Sequence, residues 1–424
     1  MEPLLLPPVP DLHRIDVYEA HGGYAMLRKA LEMQPDDIIE EVKKSNLRGR
    51  GGACFPAGLK WSFMPKKTDK PKYLCVNGDE SEPGTFKDRQ IFEFNPHLMI
   101  EGAVIAARAM GAGMAYLYVR GEYIKWIRMV QKAVDEAYAK GYLGKNILDS
   151  NVDIEFTIHR GAGAYICGEE SSLMNSIEGE RGYPRVKPPF PAQNGLWGCP
   201  TTINNVETIA NIPVILRLGG EAYAKIGNPK HPGPLLVGVS GHVNKPGVYE
   251  MPTGVLLTEI IQKYAGGVPG DKKIKAVIPG GSSTKIIRGD ALEGVTMDAD
   301  GLVAAGSSVG TAGLIVMDEN TDLIRVIARI THFYHHESCG QCTPCREGTG
   351  WMFKILKRFV DHEATAADID LLLDIANNIE GNTVCALGDA AAWPVQSMIE
   401  RFRDEFEKRV KEPASGVPEP TVAA

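Results

Sequence analysis

The chain has 424 residues, 44% of them hydrophobic and 23% charged, with a formal net charge of -7. That is the balance of a globular protein long enough for about three domains. An acidic balance excludes nucleic acid as a main partner, because nothing would neutralise phosphates in bulk.

Residues 1–230 read as an α/β domain. Strand-like apolar runs at 73–77, 115–120 and 152–159 alternate with helical patterns at 96–110, 122–140 and 169–177, which implies a mostly parallel sheet. The stretch 181–202 is rich in Pro and Gly and reads as a long ordered loop over a site. Composition changes at 228–234, and residues 231–318 look like a small β-grasp (ubiquitin-like) module. It holds the run P-L-L-V-G-V-S-G, a turn at 245–247, a helix at 256–264 and a strand at 275–278. From Asp322 the apolar period becomes helical, at 323–336, 349–360, 366–379 and 390–410. Residues 319–412 therefore form a four-helix bundle, and the Pro-rich tail 413–424 is expected to be disordered.

The most apolar helical stretch, 98–110, carries Glu101 and Arg108 and is too short to span a bilayer. The start M-E-P-L-L-L-P-P-V-P has no basic n-region and no Arg-rich transit pattern. Eight cysteines without a secretion signal point to a reducing compartment and metal ligation rather than disulfides.

Four motifs carry the chemistry of the first domain. In R-G-R-G-G-A-C-F-P-A-G-L-K-W, Gly49, Gly51, Gly52 and Gly58 let backbone N–H groups approach a phosphate or a flat ring, and Lys60 adds a positive charge. A tight turn would use the same glycines. C-V-N-G-D-E-S-E-P-G-T-F sets Asn77, Asp79, Glu80 and Glu82 at the end of a strand, suited to ribose hydroxyls or the amide edge of a ring, or simply to a solvated turn. H-R-G-A-G-A-Y-I-C-G-E-E-S-S places Glu169 and Glu170 at a helix start, where acids also serve the helix dipole. T-T-I-N-N-V-E-T puts Asn204, Asn205 and Thr208 at another helix start, as caps or as phosphate donors.

The fifth motif is E-S-C-G-Q-C-T-P-C-R. Cys339, Cys342 and Cys345 at C-x₂-C-x₂-C spacing suit three corners of one cuboidal iron–sulfur cluster, with Cys385 as the fourth thiolate. A zinc knot using the same thiols with His335 or His336 is the alternative, though zinc sites usually pair two C-x₂₋₄-C units. A nucleotide-like cofactor beside such a cluster means electron transfer. Flavin is the logical intermediary, since it accepts a hydride and releases electrons singly.

G-R-G-G-A-x-F-P, N-x-D-E-S-E-P-G, G-A-G-A-Y-I-C-G-E-E, K-P-P-F-P-A and E-S-C-G-x-C-T-P-C-R occur here in that order. From about residue 10 to 410, the chain resembles the NADH-binding flavoprotein (F-type) subunits of respiratory complex I. The resemblance implies a Rossmann-like domain holding FMN and NADH, one 4Fe-4S cluster, and NADH:quinone oxidoreductase activity. It places FMN against Gly49, Arg50, Gly51, Gly52, Lys60, Asn77, Asp79, Tyr165, Gly168, Glu169, Asn204, Asn205 and Thr208, with Glu169 acting beside the ring. It places NADH with its adenine among Phe55, Phe63 and Phe190, and its sugars and phosphates on Glu82, Glu170 and Lys187. The implied cluster ligands are Cys339, Cys342, Cys345 and Cys385. Implied partners are a companion 2Fe-2S subunit (E-like) and a larger iron–sulfur subunit, in a cytoplasmic peripheral arm at the inner face of a bacterial plasma membrane. The chain departs from the family at Cys54, where Gly is usual, and at Gly78 and Ser172, where Ala is usual. Cys54 is expected to disfavour a positive φ and to be packed and inert; Cys75, Cys167 and Cys199 are expected to be buried thiols. A diaphorase subunit of an NAD-dependent formate dehydrogenase or NAD-reducing hydrogenase is the nearest alternative. Those relatives often carry extra ferredoxin-like or thioredoxin-like ends, which are not expected before Arg48 or after Val410. A zinc-bearing, non-enzymatic scaffold is the alternative from a different class.

Overall fold

Four short runs form the first sheet: β1 (Tyr73–Gly78), β2 (Met114–Val119), β3 (Glu155–Arg160) and β4 (Thr201–Asn205). All pair in parallel, in the order β3-β2-β1-β4. The computed structural model describes residues 1–411, so the tail expected to be disordered lies outside the described residues. From β1 the chain adds β2 and β3 on one side, then returns to add β4 on the other. Such a reversal opens a crevice beyond the carboxyl ends of the strands, here between β1 and β4.

β4 differs from the expectation, which read its residues only as a helix start. Two Thr, an Ile and two Asn carry little strand signal of their own; in-register pairing with β1 supplies it. The N-terminal helices α1 (Ile15–Ala20), α2 (Ala25–Glu32), α3 (Pro35–Lys44) and α4 (Ala57–Ser62) were not assigned from the sequence.

The sheet is flanked by α5 (Asp88–Phe94), α6 (Pro96–Met110), α7 (Ile124–Ala139), α8 (Glu170–Ile177) and α9 (Val206–Leu218). Pro96 suits the first turn of α6, and Gly111 closes it with φ +70°. Every α6 residue except Arg108 is buried. Gly102 lets α6 lie backbone-to-backbone on α9: a Cβ there would collide with the Ile209 carbonyl oxygen. Gly102→Leu is therefore expected to lower the thermal midpoint by several degrees, an overpacking cost of about 1–3 kcal/mol. An unchanged midpoint would contradict this packing.

A second, mixed sheet holds β5 (Pro234–Gly241), β6 (Gly247–Pro252), β7 (Ile274–Ile278), β8 (Ile287–Arg288) and β9 (Gly313–Asp318), in the order β6-β5-β9-β7-β8. The helical segment 257–264 buries Leu257, Ile260 and Ile261 in one apolar cluster with Leu235, Val237 and Val316. Both sheets belong to one compact unit, Met1–Asn320, and a second begins at Thr321.

The second unit holds helices Leu323–Glu337, Thr343–Val360, Ala367–Ile379 and Leu387–Glu407. Each packs on the next and the last returns to the first. Phe359 and Phe406 meet edge to face at 5.2 Å. Thr343–Val360 starts six residues before the expected 349, because Pro344 pre-sets the backbone of a first turn. Among the described residues no helix is long and apolar enough to cross a membrane.

Candidate functional site

The glycine-rich segment is drawn into the β1–β4 crevice by its own lack of side chains. A Cβ at Gly51 would stand 3.1 Å from the Asn205 Cβ, so glycine lets the loop lie against the end of β4. The Arg50 amide donates to Thr208 Oγ1 at 2.8 Å, fixing the loop on α9. The Arg50 guanidinium turns away, donating to the Pro232 and Pro234 carbonyls and meeting His231. What Arg50 can give a ligand is backbone.

Asn77, at the end of β1, donates from Nδ2 to the Gly168 carbonyl at 2.8 Å and accepts from the Asp79 amide at 3.1 Å. It braces the turn Tyr165–Gly168 over the crevice. A Cβ at Gly168 would sit 3.2 Å from Asp79 Oδ2, so Asp79 lies directly beneath that turn. Asn205 caps α9 by accepting from the Glu207 amide, and donates from Nδ2 to Asp88 and to the Asn77 carbonyl. Asn204 accepts from the Trp61 indole, but its buried Nδ2 has no partner. A buried donor left unpaired is costly unless a ligand completes it.

Charged side chains gather beside this crevice. Glu169 caps α8, its Oε2 accepting from the Ser171 and Ser172 amides and from the Ser171 hydroxyl. Its Oε1 lies 3.2 Å from Lys187 Nζ. Lys187 and Lys60 reach opposite oxygens of Glu170, at 2.6 and 2.9 Å. Burial works to raise the Glu170 pKa, but Lys60 and Lys187 outweigh it and hold the carboxyl below its ordinary value. A depressed carboxylate adds stability above its unfolded pKa and loses it as pH falls through the folded one. The stability gap between the wild type and Glu170→Gln is thus expected to be full at neutral pH and to close as the pH falls through the lowered folded pKa. A gap independent of pH, measured by thermal unfolding, would contradict the pairing.

Phe55 and Phe63 are exposed, their rings 6.1 Å apart, and Phe190 is exposed on the loop after Lys187. Glu82 accepts from the Tyr165 hydroxyl at 2.7 Å and from the Ser283 amide at 2.7 Å. Ser282 and Ser283 lie in P-G-G-S-S-T, which no motif of the sequence brought forward. Thr311, in the next glycine-rich loop, donates its amide to Gly280, and a Cβ at Gly52 would touch Gly310 and Thr311. Sequence separation hid this approach; the density of Gly and Ser at 279–284 and 306–313 was its only signal.

Glu80 does not join the acids facing the crevice. Its carboxylate accepts from the Asp88 amide, from Arg89 Nε and from the Tyr123 hydroxyl, so it serves the start of α5. Cys54 adopts the positive φ that its side chain was expected to disfavour, at +52°, and packs against the apolar core of the second sheet. Burial raises its thiol pKa. Gly78 has no room for the usual Ala: a Cβ there would stand 2.8 Å from the Phe92 ring. Cys75, Cys167 and Cys199 are buried thiols.

In the helical unit, Cys339 lies before helix Thr343–Val360, Cys342 caps it and Cys345 sits in its first turn. Burial pushes the Cys345 thiol up to about 11; the Ser338 hydroxyl, 3.1 Å away, opposes this, while the charges of Cys342 and Cys339 add to it. Three thiols on one loop and the first turn of one helix fit a group bearing positive iron. No three His, Cys, Asp or Glu side chains among the described residues group as ligands of one ion. A cuboidal cluster asks for less convergence, since each iron takes one thiolate. His335 stacks on Phe353, their ring centroids 6.3 Å apart.

The Nuo51 FMN-binding domain profile matches residues 42–214, the SLBB domain profile 235–326, and the NADH-ubiquinone oxidoreductase-F iron-sulfur binding region 325–409. The F subunit of the NADH-quinone oxidoreductase of Rickettsia massiliae is 54% identical over 94% of this chain and 95% of its own length. The chain belongs to the F-subunit family of NADH-quinone oxidoreductases. The corresponding protein of Rhodobacter capsulatus is 55% identical over 90% of this chain and 89% of its own length. Among solved structures, an NAD+-reducing NiFe-hydrogenase in the H2-reduced state superposes with a TM-score of 0.83 at 34% identity, over 92% of this chain. This chain spans 64% of that hydrogenase chain. The family's FMN-binding match takes in both sides of the crevice, and its iron–sulfur match takes in all four candidate ligands.

Proposed function

We propose that the chain is the electron-input subunit of complex I, an NADH dehydrogenase that takes hydride from NADH onto FMN and passes electrons singly through one 4Fe-4S cluster toward quinone. The observation that carries this reading is the crevice itself. Gly51 lets the loop lie against Asn205 and Gly168 lets its turn lie against Asp79, and Asn204 Nδ2 is a buried donor without a partner. Bound there, FMN would convert a two-electron donor into single-electron steps, which the cluster would carry onward.

The residues do the positioning. Backbone of Gly49, Arg50, Gly51 and Gly52 would cradle FMN, with Lys60, Asn77, Asp79, Tyr165, Gly168, Asn204, Asn205 and Thr208 forming its walls. The side chain of Asn77 is spent on bracing the Tyr165–Gly168 turn and that of Asn205 on Asp88 and the start of α9, so they act as walls rather than as donors. Phe55, Phe63 and Phe190 offer exposed rings for the adenine. Glu82, Glu170 and Lys187 would hold the sugars and phosphates. Glu169, its carboxylate fixed by the α8 cap, would restrain the nicotinamide amide. Hydride transfer needs no protein acid or base, so placement and charge are the protein's contribution. Cys339, Cys342, Cys345 and Cys385 would hold the cluster within a four-helix bundle, and the second sheet is read as a β-grasp module.

The partners proposed are a 2Fe-2S companion (E-like) and a larger iron–sulfur protein, in a peripheral arm at the inner face of the bacterial plasma membrane. The hydrogenase likeness supports a second reading, the diaphorase component of an NAD-reducing hydrogenase or NAD-dependent formate dehydrogenase. Higher identity with near-complete mutual coverage favours complex I.

The test is steady-state oxidation of NADH by an artificial acceptor. Lys187→Ala is expected to raise KM for NADH roughly 10-fold or more with kcat little changed, as when binding shared by ground and transition states is lost. NADPH should be a far poorer substrate. An unchanged KM, or equal use of NADPH, would count against the NADH site.

A further inference from the structure

Beneath the glycine loop lies a charge that none of the proposed binding roles uses. Lys87 is fully buried, its ammonium 2.8 Å from Asp88 Oδ1 and 2.8 Å from Glu207 Oε2. Both carboxylates are as deeply buried as the lysine. Burial alone would neutralise Lys87, but the two acids outweigh it and hold its pKa above the ordinary value. Neither acid is free to turn away. Glu207 Oε1 accepts from the Leu236 amide at 2.9 Å, and Asp88 Oδ2 accepts from Asn205 Nδ2 at 2.7 Å. Next to Asp88, Glu80 is already paired with Arg89. The triad therefore carries one positive and two negative charges in the buried interior.

Asn205 connects this triad to the crevice. Its Oδ1 takes the Glu207 amide at 2.9 Å and Lys87 Nζ at 3.3 Å, and its Nδ2 binds Asp88 and the Asn77 carbonyl. Held on all sides, Asn205 presents its Cβ to Gly51. A charge below Asn205 thus acts in low dielectric on whatever the loop holds. FMN brings an anionic phosphate and gains electrons on reduction, so every net negative charge here opposes both its binding and its reduction.

We infer that Asp88, Lys87 and Glu207 form a buried charge-setting triad under the FMN loop, with Lys87 the positioning residue whose charge sets FMN affinity and ease of reduction. The inference rests on FMN occupying the crevice. Neither Lys87 nor Glu207 belongs to the binding residues proposed above, so their substitution tests charge rather than contact.

The experiment is a charge series in the full-length chain freed of flavin. Lys87→Gln makes the triad more negative by one, Glu207→Gln less negative by one, and the double variant restores the wild-type sum. FMN affinity is read by quenching of flavin fluorescence, and the flavin midpoint potential by spectroelectrochemistry. Lys87→Gln is expected to weaken FMN about 10-fold or more and to lower its potential. The double variant should return to within about threefold of wild type, and Glu207→Gln should bind at least as well with a raised potential. A role confined to packing would leave the double variant the weakest of all, which would overturn the inference. Should Lys87→Gln fail to fold, the other two variants decide. A raised potential in Glu207→Gln alone supports the triad, and equal potentials in all three proteins overturn it. A wild-type chain that binds no FMN would overturn the site reading, and the inference with it.

Discussion

Replacing Cys345 by alanine is expected to stop electrons from leaving the protein while NADH is still oxidised. Cys345 is the most buried of the three clustered thiols, in the first turn of helix Thr343–Val360, and its Sγ is within reach of the Ser338 hydroxyl. Removing a proposed cluster ligand should cost more than the roughly 10–100-fold lost when a group that merely orients a ligand is removed. Electron delivery to the partner proteins, and hence to quinone, is expected to fall by at least about 100-fold. Oxidation of NADH by an artificial two-electron acceptor should stay within about twofold of wild type, since the residues proposed for hydride transfer all lie in the first compact unit. Loss of the iron–sulfur absorption with the flavin band retained is the accompanying signature. Equal loss of both activities, or survival of both, would contradict the division of labour.

Gly51→Val is the second large effect, at the other end of the electron path. The missing side chain at Gly51 is what lets the loop lie against Asn205, since even a Cβ would be 3.1 Å from its neighbour. Asn205 cannot yield, because its amide is held by Asp88, Lys87, Glu207 and Asn77. A branched side chain must therefore push the loop outward into the space reserved for the ligand. A misfit of about 1–3 kcal/mol translates to roughly a 5- to 150-fold loss of FMN affinity. Thermal stability of the flavin-free chain should change little, because the loop can move into the open crevice. Undiminished FMN binding would show that the ligand does not lie on this loop.

How much of this was legible in the sequence depends on whether a signal was local. α6 could be read to the residue, since a long apolar run bounded by Pro96 and Gly111 needs no tertiary help. The strands β1 to β3 were apolar enough to locate within about three residues. β4 was not, because Thr201–Asn205 becomes a strand only beside β1. β8, two residues long, depends in the same way on β7; β9, by contrast, carries an apolar run of its own at 314–317. The cysteines declared themselves by spacing, yet the helix that carries Cys345 begins earlier than its apolar period shows.

In the crevice, residue type located the motifs but could not assign duties within them. Glu80 and Glu82 stand two apart in one acidic run; one serves α5 and the other faces Tyr165 and Ser283. Lys87, between Phe86 and Asp88, looks like any surface lysine until folding places Glu207 against it. Ser282 and Ser283 reach Glu82 across two hundred positions of sequence. Asn204 and Asn205 are adjacent and alike, yet one is saturated and the other keeps an unpaired donor. These are differences of orientation, which periodicity and composition do not carry.

The most direct test is an anaerobic visible spectrum of the purified protein before and after NADH is added. A flavin band over a broad iron–sulfur shoulder, both bleached by NADH and not by NADPH, is expected. A colourless protein whose cysteines hold zinc, isolated under conditions that preserve iron–sulfur clusters, would contradict it.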